Sequence, residues 1–537
     1  MESARASWCA SSETGGNAFL STGFAKGFTR WGMTTNPSQD KHASAIRFVL
    51  NGREIVAGDV PPDLTVLHWL RERARLTGTK EGCAEGDCGA CTVVIAMPDG
   101  QGGLKRRTEN SCIRLVPQMH GLAIETIEHL GAGREDGLHP IQRELIDRHA
   151  SQCGFCTPGI AMQLYGAHEN GALGSREAVT DALSGNLCRC TGYGPIVDAG
   201  EAIGRTLPLG RADDETVAAK LDAIRAAGSL RYEHEGRSFA QPRDEDELAS
   251  LLEANPDARL IAGGTDVGLW VAKLHRRMDH FIEVGRVESA DRVEPIIDGV
   301  RVGMAATHRA FHHAVRGWHP DLDTLMRRFA GAQTRNVGTV CGNVANGSPI
   351  GDLNPTLIAL GARVNLRRGD RRRSVPIEDF FIEYGRQDRE PGEFVQSIDV
   401  GELRAGDLFH CSKLSKRIES DISAVLGAFR LRMDGERIAE ARLAFGGMAG
   451  TAKRASNAER AMIGQRFDEG TVEDAAQALA KDFTPLTDMR ASAEYRLEAA
   501  GNLLHRFLNE TRGGRRLRDL GAVEPETTAE SGTAEAA

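Results

Sequence analysis

The sequence predicts a multidomain α+β protein, and three observations carry that prediction. Around KEGCAEGDCGACTVV at residues 80–94, two apolar runs joined by Asn51-Gly52, a stretch of helical periodicity and a strand follow one another in the order of a β-grasp fold. A second group of cysteines, in SQCGFCTPG and GNLCRCTGYGP, lies among segments with helical patterning. Beyond a polar stretch between Arg205 and about residue 241 the pattern becomes strand, glycine turn and helix, in RLIAGGTDVGLWVAKL.

Residues 1–44 are rich in Ser, Gly and Thr and hold neither an apolar signal-peptide core nor a sustained period; a disordered extension is expected, with Met33 as a second candidate start. In IRFVLNGREIVA (46–57) the Asn51-Gly52 pair suits the two positive φ angles of a tight hairpin turn. A helix is expected next, since Val66, Leu67, Leu70 and Ala74 recur at helical spacing in TVLHWLRERARL. The cysteine loop then leads through Cys91 into the strand CTVVIAM. Cys83, Cys88, Cys91 and the later Cys112 stand as C-x4-C-x2-C-x20-C, the spacing that holds a plant-type [2Fe–2S] cluster. Gly82, Gly86 and Gly89 let backbone N–H groups approach the sulfur atoms. Zinc prefers two separated pairs of ligands. Here three ligands share one short loop with a distant fourth, which favours the cluster.

Downstream, Cys153 and Cys156 make C-x2-C, Cys188 and Cys190 make C-x-C, and GIAMQLYGAH and SREAVTDALS between them have helical patterning. On spacing alone this set leaves zinc open. Of the 11 cysteines only Cys9, Cys341 and Cys411 fall outside the two sets. That leaves no disulfide framework, points to a reducing compartment and gives cytoplasm as the expected location. A net charge of −9 offers no electrostatic footprint for nucleic acid. No apolar run approaches the ~20 residues of a membrane span. The acidic, low-complexity C-terminus reads as a solvated tail.

In the α/β part, a strand over Leu260–Ala262 runs into a glycine turn and a helix for which Thr265 and Asp266 are cap candidates. Such a turn can present N–H groups to a phosphate, although many strand-to-helix turns contain Gly-Gly. A second stretch, RNVGTVCGNVANGSPIGDLNPTLIALGA (335–362), spaces glycines among neutral hydrogen-bonding side chains, as a pyrophosphate and ribitol would require; a run of ordinary turns would look similar.

The ordered set Cys83, Cys88, Cys91, Cys112, Cys153, Cys156, Cys188 and Cys190, in the settings QCGFCTPG and LCRCTGY, resembles the two-cluster region of the molybdenum hydroxylases, the xanthine dehydrogenase and aldehyde oxidase family. The resemblance implies that the first set ligates a [2Fe–2S] cluster in a ferredoxin-like domain. The second then ligates another at helix starts in a four-helix domain nearer the molybdenum, and Gln152 touches the pterin of a molybdenum cofactor. It further implies a flavin domain of the vanillyl-alcohol-oxidase type. Its FAD contacts would be Leu260, Ile261, Ala262, Gly263, Gly264, Thr265, Asp266, Val267, Phe329, Thr339, Val340, Cys341, Gly342, Asn343 and Asp352, followed by Val395 and Lys413. Cys341 stands where the family often has glycine. LAFGGMAGTAKRA resembles the family's small α+β C-terminal flavoprotein domain.

The domains expected are a disordered extension (1–44), the ferredoxin-like domain (45–131), the helical [2Fe–2S] domain (132–206), a linker (207–240), the FAD domain (241–405), the C-terminal flavoprotein domain (406–512) and an acidic tail (513–537). By the same resemblance, electrons pass from a molybdenum centre through the two clusters to FAD and on to NAD. The molybdopterin sits on a separate subunit, in a heterotetramer of two small and two large chains. Fused iron–sulfur and FAD domains are similar to those of the bacterial xanthine dehydrogenases, which oxidise hypoxanthine and xanthine to urate. A hydroxylase for another heterocycle or an aldehyde, a free-standing NADH-dependent iron–sulfur flavoprotein reductase and a zinc-binding scaffold are the alternatives.

Overall fold

The computed structural model describes residues 42–418 and 420–514. The expected extension and tail lie outside these apart from their innermost residues, of which His42–Ala43 form a short strand. The hairpin expected from Asn51-Gly52 is present: Ile46–Leu50 pairs antiparallel with Arg53–Ala57, and both turn residues have positive φ (51° and 80°). These strands join a five-stranded sheet in the order Arg53–Ala57, Ile46–Leu50, Ala123–Glu125, Thr92–Pro98, Leu104–Asn110. Alternation divides its faces. Phe48, Val93 and Ile95 enter one core, while Val49 and Ala96 face Val217 and Leu221 on the other side. The helix expected from residue 65 forms only over Val66–His68 and then widens into a π turn at Trp69–Arg73. That turn buries both Trp69 and Leu70, with Trp69 edge-on to Phe48 at 5.2 Å.

Four helices follow, Pro140–Asp147, Thr157–Glu169, Arg176–Leu183 and Gly194–Gly204. Thr157–Glu169 is buried continuously from Gly159 to His168, which explains a pattern that is apolar nearly all round. It packs against the strand Thr92–Pro98, where a Cβ on Gly166 would stand 2.6 Å from Thr108 Cγ2 and 3.3 Å from Val94 Cγ2. The helical region thus shares a wall with the ferredoxin sheet.

Residues 207–240, expected as a linker, are instead largely built into the fold. Asp214–Ala226 is a helix whose Val217, Ala218, Leu221 and Ile224 are buried at helical spacing, and its polar residues lie outside. Arg106 clamps it in place, reaching Glu125 at 3.0 Å and Asp214 at 2.5 Å. Ser229–His234 and Arg237–Gln241 then form a hairpin in the next sheet, ordered His42–Ala43, Ser229–His234, Arg237–Gln241, His280–Glu283, Arg259–Ile261. Tyr232, Phe239 and Phe281 from this sheet join Phe48 and Leu70 in one core. A mixed polar composition suggested a tether, but the buried stripe within it carries the structure.

A third five-stranded sheet orders Val293–Ile296, Gly299–Gly303, Phe394–Gly401, Arg363–Arg368 and Arg371–Pro376. The last sheet, Leu408–Leu414, Val425–Asp434, Arg437–Gly446 and Lys453–Arg454, packs Phe429 and Phe445 against Leu479 and Phe507 of the helices Glu469–Asp482 and Ala493–Thr511. Among the described residues no helix is long and apolar enough to cross a membrane.

At the seam between these last two parts, buried His410 places Nδ1 2.9 Å from Asp321 and 3.4 Å from Glu510. Its ring lies near-parallel to those of Phe507 and Phe429, at 5.7 Å and 6.1 Å, in a cluster of three. Burial would lower the imidazole pKa, but the two carboxylates outweigh it and raise it above the usual 6.5. The folded value exceeds the unfolded one, so the stabilisation is complete below pH 6.5 and fades as pH rises through the raised value. Urea midpoints measured from pH 6.5 upward should fall accordingly. His410→Gln, which removes the charged ring from beside Asp321 while Glu510 keeps Arg506 at 2.7 Å, should cost about 3 kcal/mol at the low end and flatten this dependence.

Candidate electron-transfer site

The first cysteine loop turns its backbone inward. Ala84, Gly86 and Gly89 have positive φ of 55°, 79° and 69°. The N–H groups of Glu85, Asp87 and Cys88 donate to Cys83 Sγ at 3.5, 3.4 and 3.3 Å. This is a nest that favours negative charge on the sulfur. A Cβ on Gly82 would meet Cys88 Sγ at 2.7 Å, so the loop closes only around glycine there. Cys91 and Cys112 flank the ends of the paired strands Thr92–Pro98 and Leu104–Asn110, and both are buried. The thiols interact as two pairs, Cys83 with Cys88 and Cys91 with Cys112. Three of these thiols stand on one short loop and the fourth beyond the paired strand, the ligand arrangement that a plant-type two-iron cluster takes. The Cys88 thiol, hydrogen-bonded to Cys83, holds Cys83 down to about 5. Cys112 likewise lowers Cys91.

The second set forms where two helices begin. Cys153 and Cys156 precede Thr157–Glu169, and Cys188 and Cys190 precede Gly194–Gly204. Again there are two pairs, Cys156 with Cys188 and Cys153 with Cys190. Burial first, then Cys188, pushes Cys156 up to about 12. Cys188 Sγ lies 3.1 Å from Thr191 Oγ1, and its backbone N–H donates to Tyr193 Oη at 2.8 Å. Cys153 and Cys190 are exposed, as are Gln152, Arg189 and Phe155, so this set stands at a surface while Cys91 and Cys112 lie inside.

The two loops touch. Leu187 N–H donates to Cys88 O at 3.0 Å, and Asn186 Nδ2 donates to Gly89 O at 3.2 Å. A Cβ on Gly159 would fall 2.2 Å from Gly89 O. Gln333, from the flavin region, donates to Asn186 Oδ1 at 2.5 Å and fixes the junction from a third side. Cys88 and Cys188 are therefore separated by one backbone hydrogen bond and one peptide unit. Neither Asn186 nor Gln333 was visible from sequence, because each acts on a partner distant along the chain.

On its other side the ferredoxin region meets the 260–267 turn. Arg114 Nη1 donates to Gly263 O at 2.7 Å and Gln118 Nε2 to Ala262 O at 3.0 Å. Ile113, next to Cys112, lies so close that a Cβ on Gly268 would stand 2.0 Å from its carbonyl oxygen. Leu260 and Ile261 end the strand Arg259–Ile261, Gly264 has φ 76°, and Val267 opens the helix Val267–Ala272. Asp266 holds the cap position but makes no side-chain cap bond, and burial raises its carboxyl pKa. Gly338 packs between Thr334 O, His308 and Thr265, bringing the second glycine stretch against the first.

In that second stretch Thr339 caps Val340–Asn346 by accepting from Gly342 N at 3.1 Å. Cys341 is buried with helical backbone, and its thiol donates to Val302 O and Gly303 O at 3.5 Å, so the fold needs no glycine there. Phe329 packs on His308 at 4.3 Å. Asp352 and Lys413 meet each other at 2.5 Å, with Ser423 on the second carboxylate oxygen. Val395 is buried on Phe394–Gly401, the strand against which Val340–Asn346 packs. Gly342 is exposed, opening the backbone of this helix, and Asn343 Oδ1 is buried without a partner among the described residues. An uncovered backbone beside an unsatisfied acceptor fits a ligand that carries hydroxyls and phosphates. His308, Arg114, Gln118 and Ser423 were not expected from the sequence.

Comparison with known proteins follows this layout. Residues 48–115 match the family described as 2Fe-2S iron-sulfur cluster binding domain, and 126–201 match the [2Fe-2S] binding domain. Residues 232–401 match the FAD binding domain in molybdopterin dehydrogenase, and 410–511 the CO dehydrogenase flavoprotein C-terminal domain. The xanthine dehydrogenase of Drosophila subobscura is 32% identical over 499 residues, 82% of this chain and 37% of that protein. That of Emericella nidulans is 31% identical over 534 residues, 87% of this chain and 38% of that protein. The chain thus spans well under half the length of these curated relatives. Among solved structures, a carbon monoxide dehydrogenase from Hydrogenophaga pseudoflava aligns at 29% identity and TM-score 0.48, over 51% of this chain and 96% of that one.

Replacing Cys156 with Ala should remove about half of the iron and acid-labile sulfide while sparing the rest. Electron paramagnetic resonance of the reduced protein should lose one of two signals. Loss of both signals, or of neither, would contradict the division of the cysteines into two sets.

Proposed function

Because the chain belongs to the molybdenum hydroxylase family, with its two [2Fe–2S] domains followed by its flavin domains, we propose that it is the electron-transfer part of an NAD-dependent xanthine dehydrogenase. It takes electrons from a molybdenum centre on a separate polypeptide and delivers them to NAD. What supports the reading is the continuous line of contact from the cysteine set whose Cys153 and Cys190 are exposed, through the set whose Cys91 and Cys112 are buried, to the glycine turn. That line runs through Leu187 N–H on Cys88 O and through Ile113 on Gly268. When bound, the clusters supply one-electron transfer and the flavin exchanges single electrons for a hydride.

The residues divide the work. The Glu85, Asp87 and Cys88 N–H groups stabilise charge on Cys83, and the burial of Cys91 and Cys112 keeps water from that side of the inner set. Arg114 and Gln118 hold the turn against the ferredoxin region. FAD lies along Leu260–Val267, Phe329, Thr339–Asn343 and Asp352, with Val395 and Lys413 at its edge. Gln152, exposed beside Cys153, contacts the pterin of the partner. Phe155, 48% exposed between the two sets, belongs to the same docking face. Two copies of this chain and two of the partner form the complex, in the cytoplasm. Xanthine rather than another heterocycle is favoured by identity that runs through the iron–sulfur and flavin domains together.

Asn343→Asp should weaken FAD binding about tenfold, ~1.4 kcal/mol, by setting a carboxylate near the pyrophosphate. Equilibrium dialysis of the flavin measures it, and unchanged affinity would count against the placement. The purified chain should be inert toward xanthine, yet NADH added without oxygen should bleach its flavin absorbance and reduce an artificial dye. Adding the molybdenum polypeptide should restore xanthine-dependent NADH formation, and Gln152→Ala should slow that reaction while leaving the dye reaction intact. Xanthine oxidation by the chain alone, or no reaction with NADH when FAD is fully loaded, would sink the reading.

A further inference from the structure

Behind the glycine turn, between the ferredoxin sheet, the helical region and the flavin domain, lies a cleft of about 1020 Å³. In a protein of net charge −9 its wall carries ten lysines and arginines against four carboxylates. Several of these cations are neutralised: Arg106 by Glu125 and Asp214, and Arg107 and Arg114 by Glu109. Others are not. Arg286 donates to His120 O at 3.1 Å, Arg225 to Gly121 O at 3.0 Å and Arg309 to Asn336 Oδ1 at 3.2 Å, all neutral oxygens. Among the described residues no carboxylate pairs with these three.

Arg286 and Arg225 are thus bound to consecutive carbonyls, side by side at one turn. Burial first, then Arg225, pushes the Arg286 guanidinium down to about 9, with Glu283 only partly opposing. Glu283 itself is occupied by Gln118 and Gln241. His120, 5% exposed and lining the same cleft, adds an independent sign. Its Nδ1 accepts from Arg47 N at 3.1 Å, which leaves the proton of the neutral ring on Nε2, and Nε2 has no partner among the described residues. Burial and then Arg286 lower this imidazole to about 4, so the ring is a neutral donor. Two guanidinium groups in direct contact with no carboxylate among the described residues, with Glu283 and Asp222 acting on them only at longer range, beside a buried N–H without an acceptor, are complementary to an oxyanion.

We propose that this cleft binds a phosphoryl anion, free or carried by a nucleotide, through Arg286, Arg225 and His120. Its occupant would also bear on the flavin turn, since Ala262, Gly263 and Arg114 line the same cleft. The test is calorimetric titration of the FAD-loaded chain at low ionic strength with inorganic pyrophosphate and, separately, with ADP, while flavin absorbance monitors retention of FAD. Saturable binding of pyrophosphate with FAD retained is expected. Arg286→Gln and Arg225→Gln should each weaken it by about tenfold or more, while Arg301→Gln, whose side chain pairs with Asp399 outside the cleft, should not. Tighter binding of ADP with the same dependence on Arg286 would identify a nucleotide, and equal binding a free anion. In the unmodified protein, phenylglyoxal should label Arg286 or Arg225 and pyrophosphate should protect them, read by mass spectrometry, whether or not the variants fold. No saturable binding, release of FAD by pyrophosphate, equal loss in Arg301→Gln or no protection would each overturn the proposal.

Discussion

The arrangement of this protein hangs on the contact between Gly89 and Gly159. A side chain at Gly159 would place its first carbon 2.2 Å from the Gly89 carbonyl oxygen, so the helix that follows Cys156 can approach the loop between Cys88 and Cys91 only with glycine there. From that approach follow the hydrogen bond from Leu187 to Cys88 O, the position of Asn186 and the reach of Gln333 across to it. Three parts of the chain that share little sequence proximity are tied at a point beside both cysteine sets. Electron transfer falls steeply with distance, so a junction made of backbone atoms and two glycines protects the quantity that matters most.

What could be read from the sequence was whatever a local pattern encodes. The Asn51-Gly52 turn, the glycine-bearing cysteine loop and the strand before the 260–267 turn depend on a few consecutive residues, and the structure contains each of them. The helix at Asp214–Ala226 was missed because its polar face dominates the composition, although Val217, Leu221 and Ile224 carried the period. Asp266 was expected to cap a helix, but a capping residue needs an extended backbone, and that of Asp266 is already helical (φ −96°, ψ −47°). Cys341 looked like a departure from a glycine pattern. Its helical backbone and its bonds to Val302 O and Gly303 O show that space, not conformation, decides that position. Arg114, Gln118 and Gln333 had no local signal at all, since their partners lie far along the chain.

The seams differ in kind, and the difference has consequences. Between the cysteine sets the contact is made by neutral groups, backbone on backbone together with the Asn186 and Gln333 amides, with little charge to respond to salt or pH. Between the ferredoxin region and the flavin turn, side chains join the backbone approach of Ile113 to Gly268, and one of them does two things. Arg114 donates to Gly263 O at 2.7 Å while its Nε stands 2.8 Å from the buried carboxylate of Glu109. Burial would raise the Glu109 pKa, but Arg114 and Arg107 outweigh it and keep the group ionised. Glu109 lies on the strand that pairs with Thr92–Pro98, directly after Cys91. One buried ion pair therefore ties the flavin turn to the strand pair carrying the inner cysteines, alongside the Gln118 bond to Ala262 O. Such a pair contributes little net stability but is costly to break from one side, about 3–5 kcal/mol. Its effect is to define one geometry, which is what a relay between two fixed cofactors requires.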